Sequence, residues 1–348
     1  MTTIQAAVIG GGRWGTHWIR NLLTHPAFNL VAIADASSAR RQHLTRQFCL
    51  TESVQQFATG TDLLKTCASL DAVVVATPAI THTPLIRQAL QRGCHVLAEK
   101  PLTLEPAEAR SLCEQAAQLN RILLVDHTYL FNAAVLAGRG WLQSQSLASL
   151  RYAYATRTHL GPIRQDVDAL WDLAIHDIAI LNYWLGEQPI RGQALGQVWL
   201  QCDRSDDPRF PQGLSDQVNV RLLYPSGAQA MLHFCWANPD KQRRLGLVSD
   251  RGTLVFDEMQ PEYPLRFYPG DVNPQACGFT PTVGSPQDIP FTVTEPLRNV
   301  CDHFVSCINQ QQESRISSGW LGLELVQVLT KLTQSLNAGG AWVNFNDA

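Results

Sequence analysis

The stretch 6–15, AAVIGGGRWG, restricts the fold of this chain more than any other. A short run of strand-forming residues ends in glycines, and an amphipathic stretch, THWIRNLLTH (16–25), follows at once and stops at Pro26. Gly10, Gly12 and Gly15 fit the spacing G-x-G-x-x-G. Glycine clusters also serve ordinary turns, so the spacing alone is weak; the strand before it and the helix after it give it meaning. Glycines at these places permit a tight turn, close backbone approach and close helix packing. A helix starting near residue 14 would offer free N–H groups and a positive dipole end to a pyrophosphate. Gly10, Gly12, Arg13, Trp14 and Gly15 are therefore expected to hold a dinucleotide.

Up to about residue 130, short apolar runs alternate with helical stretches. LVAIAD (30–35), DAVVVATP (71–78), HVLAEKP (95–101) and RILLVDH (121–127) read as strands, and 82–92 and 106–120 as helices. Near-continuous apolar strands separated by helices predict a parallel sheet buried on both faces. Further on, 151–160, 196–203, 217–224, 228–237 and 243–257 alternate at period two, and tight-turn signals such as YPSGA and SDRGT separate several of them. That pattern predicts an antiparallel sheet with one face free. A helix is expected at 168–185 and two more at 296–311 and 319–337, while the Pro- and Gly-rich 258–290 reads as an irregular excursion. The predicted class is α/β: an N-terminal Rossmann doubly wound parallel sheet (1–128), then a C-terminal α+β domain (129–348) with an open, mainly antiparallel sheet. The last helix could pack back on the first domain.

Asp35 closes the second strand about twenty residues past the last motif glycine, where a carboxylate can accept hydrogen bonds from both adenosine ribose hydroxyls. Such a carboxylate repels a 2′-phosphate, so the expected cofactor is NAD. Ser37, Ser38, Arg40 and Arg41 follow closely and leave NADP open. The arginines otherwise read as a solvated helix face, although Arg40 is placed beside the cofactor here.

A net charge of −3, with no basic stripe, gives no reason to expect nucleic acid or an anionic membrane as partner. The N-terminus lacks the features of a signal peptide, and no apolar run approaches the ~20 residues of a membrane span. The nine cysteines are odd in number and never spaced as CxxC, which predicts buried reduced thiols in a cytoplasmic protein. No histidine pattern suggests a metal, and none is expected.

Two further motifs carry chemistry. Glu99-Lys100-Pro101 ends a predicted central strand, at the sheet edge where ligands of open α/β folds collect. In LWDLAIHDIAIL (170–181), Asp172 and His176 stand four apart, on one face of the predicted helix. TPAITHTPLIRQALQRGCHVLAEKPL (77–102), together with GGGRWG, Asp35 and WDLAIHD, resembles the glucose–fructose oxidoreductase/inositol dehydrogenase/MocA family over essentially the whole chain. The resemblance implies reversible hydride transfer between NAD(P) and a secondary alcohol of a sugar, cyclitol or related compound. It implies that Lys100, Asp172 and His176 form the catalytic group, and that Thr77, Pro78, His82 and Glu99 surround the cofactor. It also implies a homodimer or homotetramer formed through the C-terminal sheet.

The chain departs from the family pattern at Ala174, where glycine is usual, and at VDHTYLFN (125–132). The second departure brings Asp126, His127 and Tyr129 toward the expected cleft and bears on the substrate: a polyol, sugar or nucleotide-sugar. His127, Tyr129, Arg164 and Trp171 are candidate substrate contacts. Trp171 also reads as core; Arg157, His159 and Arg164 lead into the predicted helix, where an arginine could pair with a carboxylate or phosphate of the substrate or serve only in a surface ion pair. Asp177 reads as structural. Two alternatives stand beside the dehydrogenase reading: a non-catalytic NAD(P)-binding regulator on the same fold, and a reductase like biliverdin reductase. The first would lack Lys100 or His176, and the second does not keep the combined motifs.

Overall fold

A computed structural model describes residues 3–145, 149–202 and 207–345. Eleven elements follow the expected alternation: β1 (Ile4–Ile9), α1 (Arg13–Thr24), β2 (Phe28–Ala34), α2 (Ser38–Phe48), β3 (Gln55–Phe57), α3 (Gly60–Thr66), β4 (Ala72–Val75), α4 (His82–Gln91), β5 (His95–Glu99), α5 (Pro106–Gln118) and β6 (Leu123–Asp126). The six strands form one sheet in the order β3-β2-β1-β4-β5-β6, every pair parallel. That order reverses beside β1, which places a crevice at the carboxyl ends of β1 and β4. Every side chain of β4 and β5 is buried, as sheets covered on both faces require.

The second unit begins with α6 (Ala133–Ser144) and β7 (Leu150–Leu160). It continues through α7 (Ile175–Leu185), β8 (Arg191–Gln197), β9 (Gln217–Leu223), β10 (Gln229–Cys235), β11 (Ala237–Ser249), β12 (Gly252–Asp257), β13 (Leu265–Gln275), β14 (Gly278–Val283) and β15 (Gln287–Asp288). After α8 (Pro296–Gln310) and α9 (Gly319–Asn337), β16 (Val343–Asn344) completes the sheet, which runs β14-β13-β12-β11-β7-β10-β9-β8-β16 with β15 on β13. Of its pairings only β7 with β10 is parallel. Alternation holds as expected. Ala153, Ala155, Leu232 and Phe234 are buried, whereas Tyr152 and Met231 point to the other face and are exposed.

The two compact units are 1–131 with 294–326, and 132–293 with 327–348. The expected single cut at 128 therefore needs correcting, because α8 and the start of α9 belong with the parallel sheet. The ion pair of Arg20 with Glu295 and the hydrogen bond of the His25 ring with Asp302, together with the Phe28–Phe304 stack, hold α8 to that unit.

Two strand assignments also change. Residues 198–202 leave the ladder after β8, since the Asp216 carboxylate takes the N–H groups of Trp199 and Leu200 at 2.7 and 2.9 Å; Asp203 lies outside the described residues. Residues 258–290 are not irregular but contain the β13–β14 hairpin. Pro274 lies in the half of β13 that pairs with β14 and Pro281 in β14 itself, the last strand of the sheet, so both have an edge where a missing N–H costs little; Pro269 ends the half that pairs with β12. Six cysteines are buried, while Cys49, Cys202 and Cys277 are exposed, against the expectation of burial for all nine.

Candidate active site

The glycine turn is built as its spacing requires. Gly10 has φ +99°, and a Cβ there would lie 2.4 Å from the Ala76 carbonyl oxygen. A Cβ at Gly15 would lie 1.8 Å from the Gly10 carbonyl oxygen. Both glycines are demanded by the protein's own packing. Gly12 is different: a Cβ there meets nothing within 4 Å. It is the N-cap of α1, it offers no side-chain cap, and the first turn carries no acidic residue. The uncompensated N–H groups and dipole end suit an anion brought close to the backbone, so the turn fits a pyrophosphate. Arg13 and Trp14 stand exposed on that first turn.

Asp35 reaches back to the same turn. Its Oδ2 accepts from the Gly11 N–H at 2.8 Å and its Oδ1 from the Ser37 N–H at 2.9 Å. Arg41 donates to the Asp35 carbonyl oxygen at 2.5 Å, and Arg40 opens α2, its N–H capped by the Ser37 hydroxyl at 3.2 Å.

Thr77 and Pro78 follow β4. The Thr81 hydroxyl donates to the Pro78 carbonyl oxygen at 2.7 Å and so accepts from the Thr77 hydroxyl, also at 2.7 Å. The buried His82 ring lies between carbonyl oxygens, Nε2 2.8 Å from Thr77 O and Nδ1 3.0 Å from Pro101 O, and so ties the loop after β4 to the turn that carries Lys100. Glu99 ends β5, buried, and accepts the Trp18 indole N–H at 2.9 Å. Lys100 follows it, also buried.

His127 lies in the interior of this unit. The Ser317 hydroxyl donates to the Val125 carbonyl oxygen at 2.7 Å, so His127 Nδ1, 2.7 Å from Ser317 Oγ, must be the donor in that contact. Burial, then the nearby Lys100 charge, pushes its pKa from 6.5 down to about 3. A native imidazole that refuses a proton contributes stability above 6.5, and this is lost as the pH falls toward 3. The effect reaches about 2 kcal/mol at pH 5. Urea titrations at pH 8 and pH 5 are expected to show a smaller acid loss in His127→Gln than in the wild type, by about that amount. Equal losses would refute the assignment. Tyr129, two residues on, is half-buried.

In the second unit, the expected single helix over 168–185 opens instead with a wide π-type turn, Leu170–Ala174, which passes directly into α7. The buried Asp168 caps it, Oδ1 accepting from the Trp171 N–H at 3.1 Å, and burial pushes its pKa up to about 7. Asp172 falls in the π turn and His176 in the first turn of α7, so their spacing is not that of a regular α-helix. Between 167 and 182, only Asp172 and His176 escape full burial. They share the one accessible strip of an otherwise enclosed segment. Arg164 grips Asp166 in two contacts, at 2.8 and 2.5 Å, and reaches Asp172 Oδ1 at 3.3 Å. His159 lies in the field of Asp172; burial lowers its pKa and the carboxylate opposes the shift.

Several assignments change here. Trp171 is 1% exposed and donates its indole N–H to Thr333 Oγ1 at 2.9 Å, so it packs in the core and presents no face to a sugar. Arg164 serves Asp166 and Asp172. Arg157 pairs with Asp177 through two hydrogen bonds, 2.8 and 2.9 Å, with both side chains 4% exposed, which makes Asp177 structural as expected. Asp168 was missed by sequence reasoning; an aspartate three residues before the N–H it caps was the available signal. Among the described residues no cluster of His, Cys, Asp or Glu could hold a metal ion, and no helix is long and apolar enough to cross a membrane.

A model of the oxidoreductase family with an NAD-binding Rossmann fold matches residues 4–127, and one of the GFO/IDH/MocA C-terminal domain matches 143–255. Inositol 2-dehydrogenase of Rhizobium meliloti is 26% identical over 268 residues, 74% of this chain and 77% of that protein. UDP-N-acetylglucosamine 3-dehydrogenase of Acidithiobacillus ferrooxidans is 33% identical over 142 residues, 40% of this chain and 43% of that one. In fold, an inositol dehydrogenase homologue from Azotobacter vinelandii, solved with NADH and myo-inositol, has a TM-score of 0.80, with 99% of this chain and 98% of that one covered at 21% identity.

Proposed function

The chain belongs to the GFO/IDH/MocA family of oxidoreductases, with an NAD-binding Rossmann domain, and from that premise we propose that it moves a hydride between NAD and a secondary alcohol of a cyclitol, sugar or nucleotide-sugar. The observation that carries this reading is the accessibility of Asp172 and His176 alone within a buried segment. NAD, which the glycine turn and Asp35 would hold, would supply the acceptor for the hydride of the carbinol carbon. The hydroxyl proton needs its own acceptor, and His176 is the group assigned to it, since an imidazole ordinarily titrates near ~6.5. Asp172, steadied by Arg164, orients the hydroxyl and favours the imidazolium that forms. Lys100 donates a hydrogen bond to the same oxygen and stabilises its developing charge.

NAD reduction on incubation with a panel of cyclitols, hexoses and nucleotide-sugars tests the proposal. Tight NAD binding with no turnover in either direction would favour a non-catalytic regulator.

NAD is assigned over NADP because the Asp35 carboxylate faces the glycine turn. Replacing it, Asp35→Ser, is expected to raise the KM for NAD about 10- to 100-fold, the loss of charged hydrogen bonds to the ribose, and to leave NADP unaffected or improved. Equal weakening of both cofactors would mean only that the turn had been disturbed. We assign self-association to the exposed sheet face around Tyr152 and Met231; a monomeric mass by light scattering would remove that assignment.

A further inference from the structure

The strand ends β5 and β6 bring two carboxyl groups together in a way the reaction above does not require. Glu99 and Asp126 are register partners on adjacent parallel strands, where neighbouring backbones lie ~4.8 Å apart. Asp126 is 1% exposed and Glu99 6% exposed, and Lys100 follows directly on Glu99. Glu99 has the Trp18 indole N–H on Oε1. Asp126 accepts the Thr128 hydroxyl on Oδ1 at 2.9 Å, but its Oδ2 is buried without a hydrogen-bond partner.

Two buried carboxylates side by side, with the charge of Lys100 near Asp126, cannot both stay ionised at low cost. The proton belongs on the group whose oxygen has no donor to stabilise a negative charge. That group is Asp126, through Oδ2. We propose that Asp126 is a proton-bearing positioning residue of the Lys100 half-site: kept neutral, it adds no second negative charge beside Glu99, so that the positive charge of Lys100 is available to the substrate oxygen.

This inference rests on the assignment of Lys100 under the proposed function. Among the described residues, the charged and titratable groups that face Asp126 are Glu99 at the end of β5, Lys100 just after it, Cys301 from α8, and its own neighbour His127, which burial holds neutral. Burial, followed by repulsion from Glu99, raises the Asp126 pKa well above the ordinary carboxylate range, in agreement with the geometry. Ionisation of Asp126 at higher pH would add a second negative charge beside Lys100, and stabilisation of a developing alkoxide would weaken.

The test pairs infrared spectroscopy with a pH profile on the full-length chain. At neutral pH the wild type should show the carbonyl stretch of a protonated carboxylic acid, sensitive to deuterium exchange, which Asp126→Asn removes. Glu99→Gln should also remove it, because Asp126, relieved of the repulsion from Glu99, would then ionise beside Lys100. The high-pH limb of kcat should move upward by about one unit or more in Asp126→Asn. A wild type that turns over but has no such band, or a limb that stays in place in Asp126→Asn, overturns the proposal while leaving the dehydrogenase reading intact. A wild type inactive on every alcohol and ketone tested defeats the dehydrogenase reading, and the role given to Asp126 falls with it.

Discussion

His176→Ala is expected to lower kcat for NAD reduction about 10²- to 10⁴-fold, the usual contribution of a positioned general base, with NAD affinity unchanged within twofold. Lys100→Met is expected to cost about 10²- to 10³-fold, as removal of one donor to a developing oxyanion does. The double variant decides whether both act on one oxygen. Groups that serve a single proton transfer are strongly non-additive, so it should be little slower than the worse single variant. Stopped-flow NADH absorbance gives the chemical step, and fluorescence titration gives cofactor affinity. Losses that multiply would place the two groups in separate tasks. A single variant retaining a third of the wild-type rate would remove that residue from the chemistry.

The second large effect is on stability. Asp177→Ala leaves the Arg157 guanidinium, 4% exposed, without its bidentate partner. Breaking a buried ion pair by removing one partner costs about 3–5 kcal/mol, more than most single substitutions. Thermal unfolding should therefore show a lowered Tm for Asp177→Ala. Because the penalty arises from a charge kept buried rather than from the lost attraction, the double change Arg157→Met with Asp177→Leu should recover most of it. A double variant no more stable than Asp177→Ala would show that the pair contributes through packing specific to these side chains. Asp177 lies beside His176 in α7, so the pair also fixes where the first turn of that helix points.

Much of the first unit was legible because its signals are local. Alternating strands and helices, the glycines of the turn and Asp35 at the end of β2 each act over a few residues, and the parallel order follows from them. The β13–β14 hairpin was not legible. Prolines usually forbid a central strand, and nothing local reveals that Pro274 and Pro281 lie where the ladder has a free edge. The Asp172–His176 pair was found by spacing, but the reason for that spacing was misread: the pair spans a π-type turn joined to α7, and such turns depend on surrounding packing more than on residue preference.

What the sequence determined by itself is the nucleotide turn, the class of both sheets and the identity of the residues offered for catalysis, since backbone sterics and hydrophobic period leave few alternatives. Only the tertiary structure decided the state of those residues. Burial set the neutral form of His127, consigned Trp171 to the core and brought Asp126 beside Glu99. Charge and exposure depend on neighbours far apart in the chain, and a linear sequence does not say which they will be.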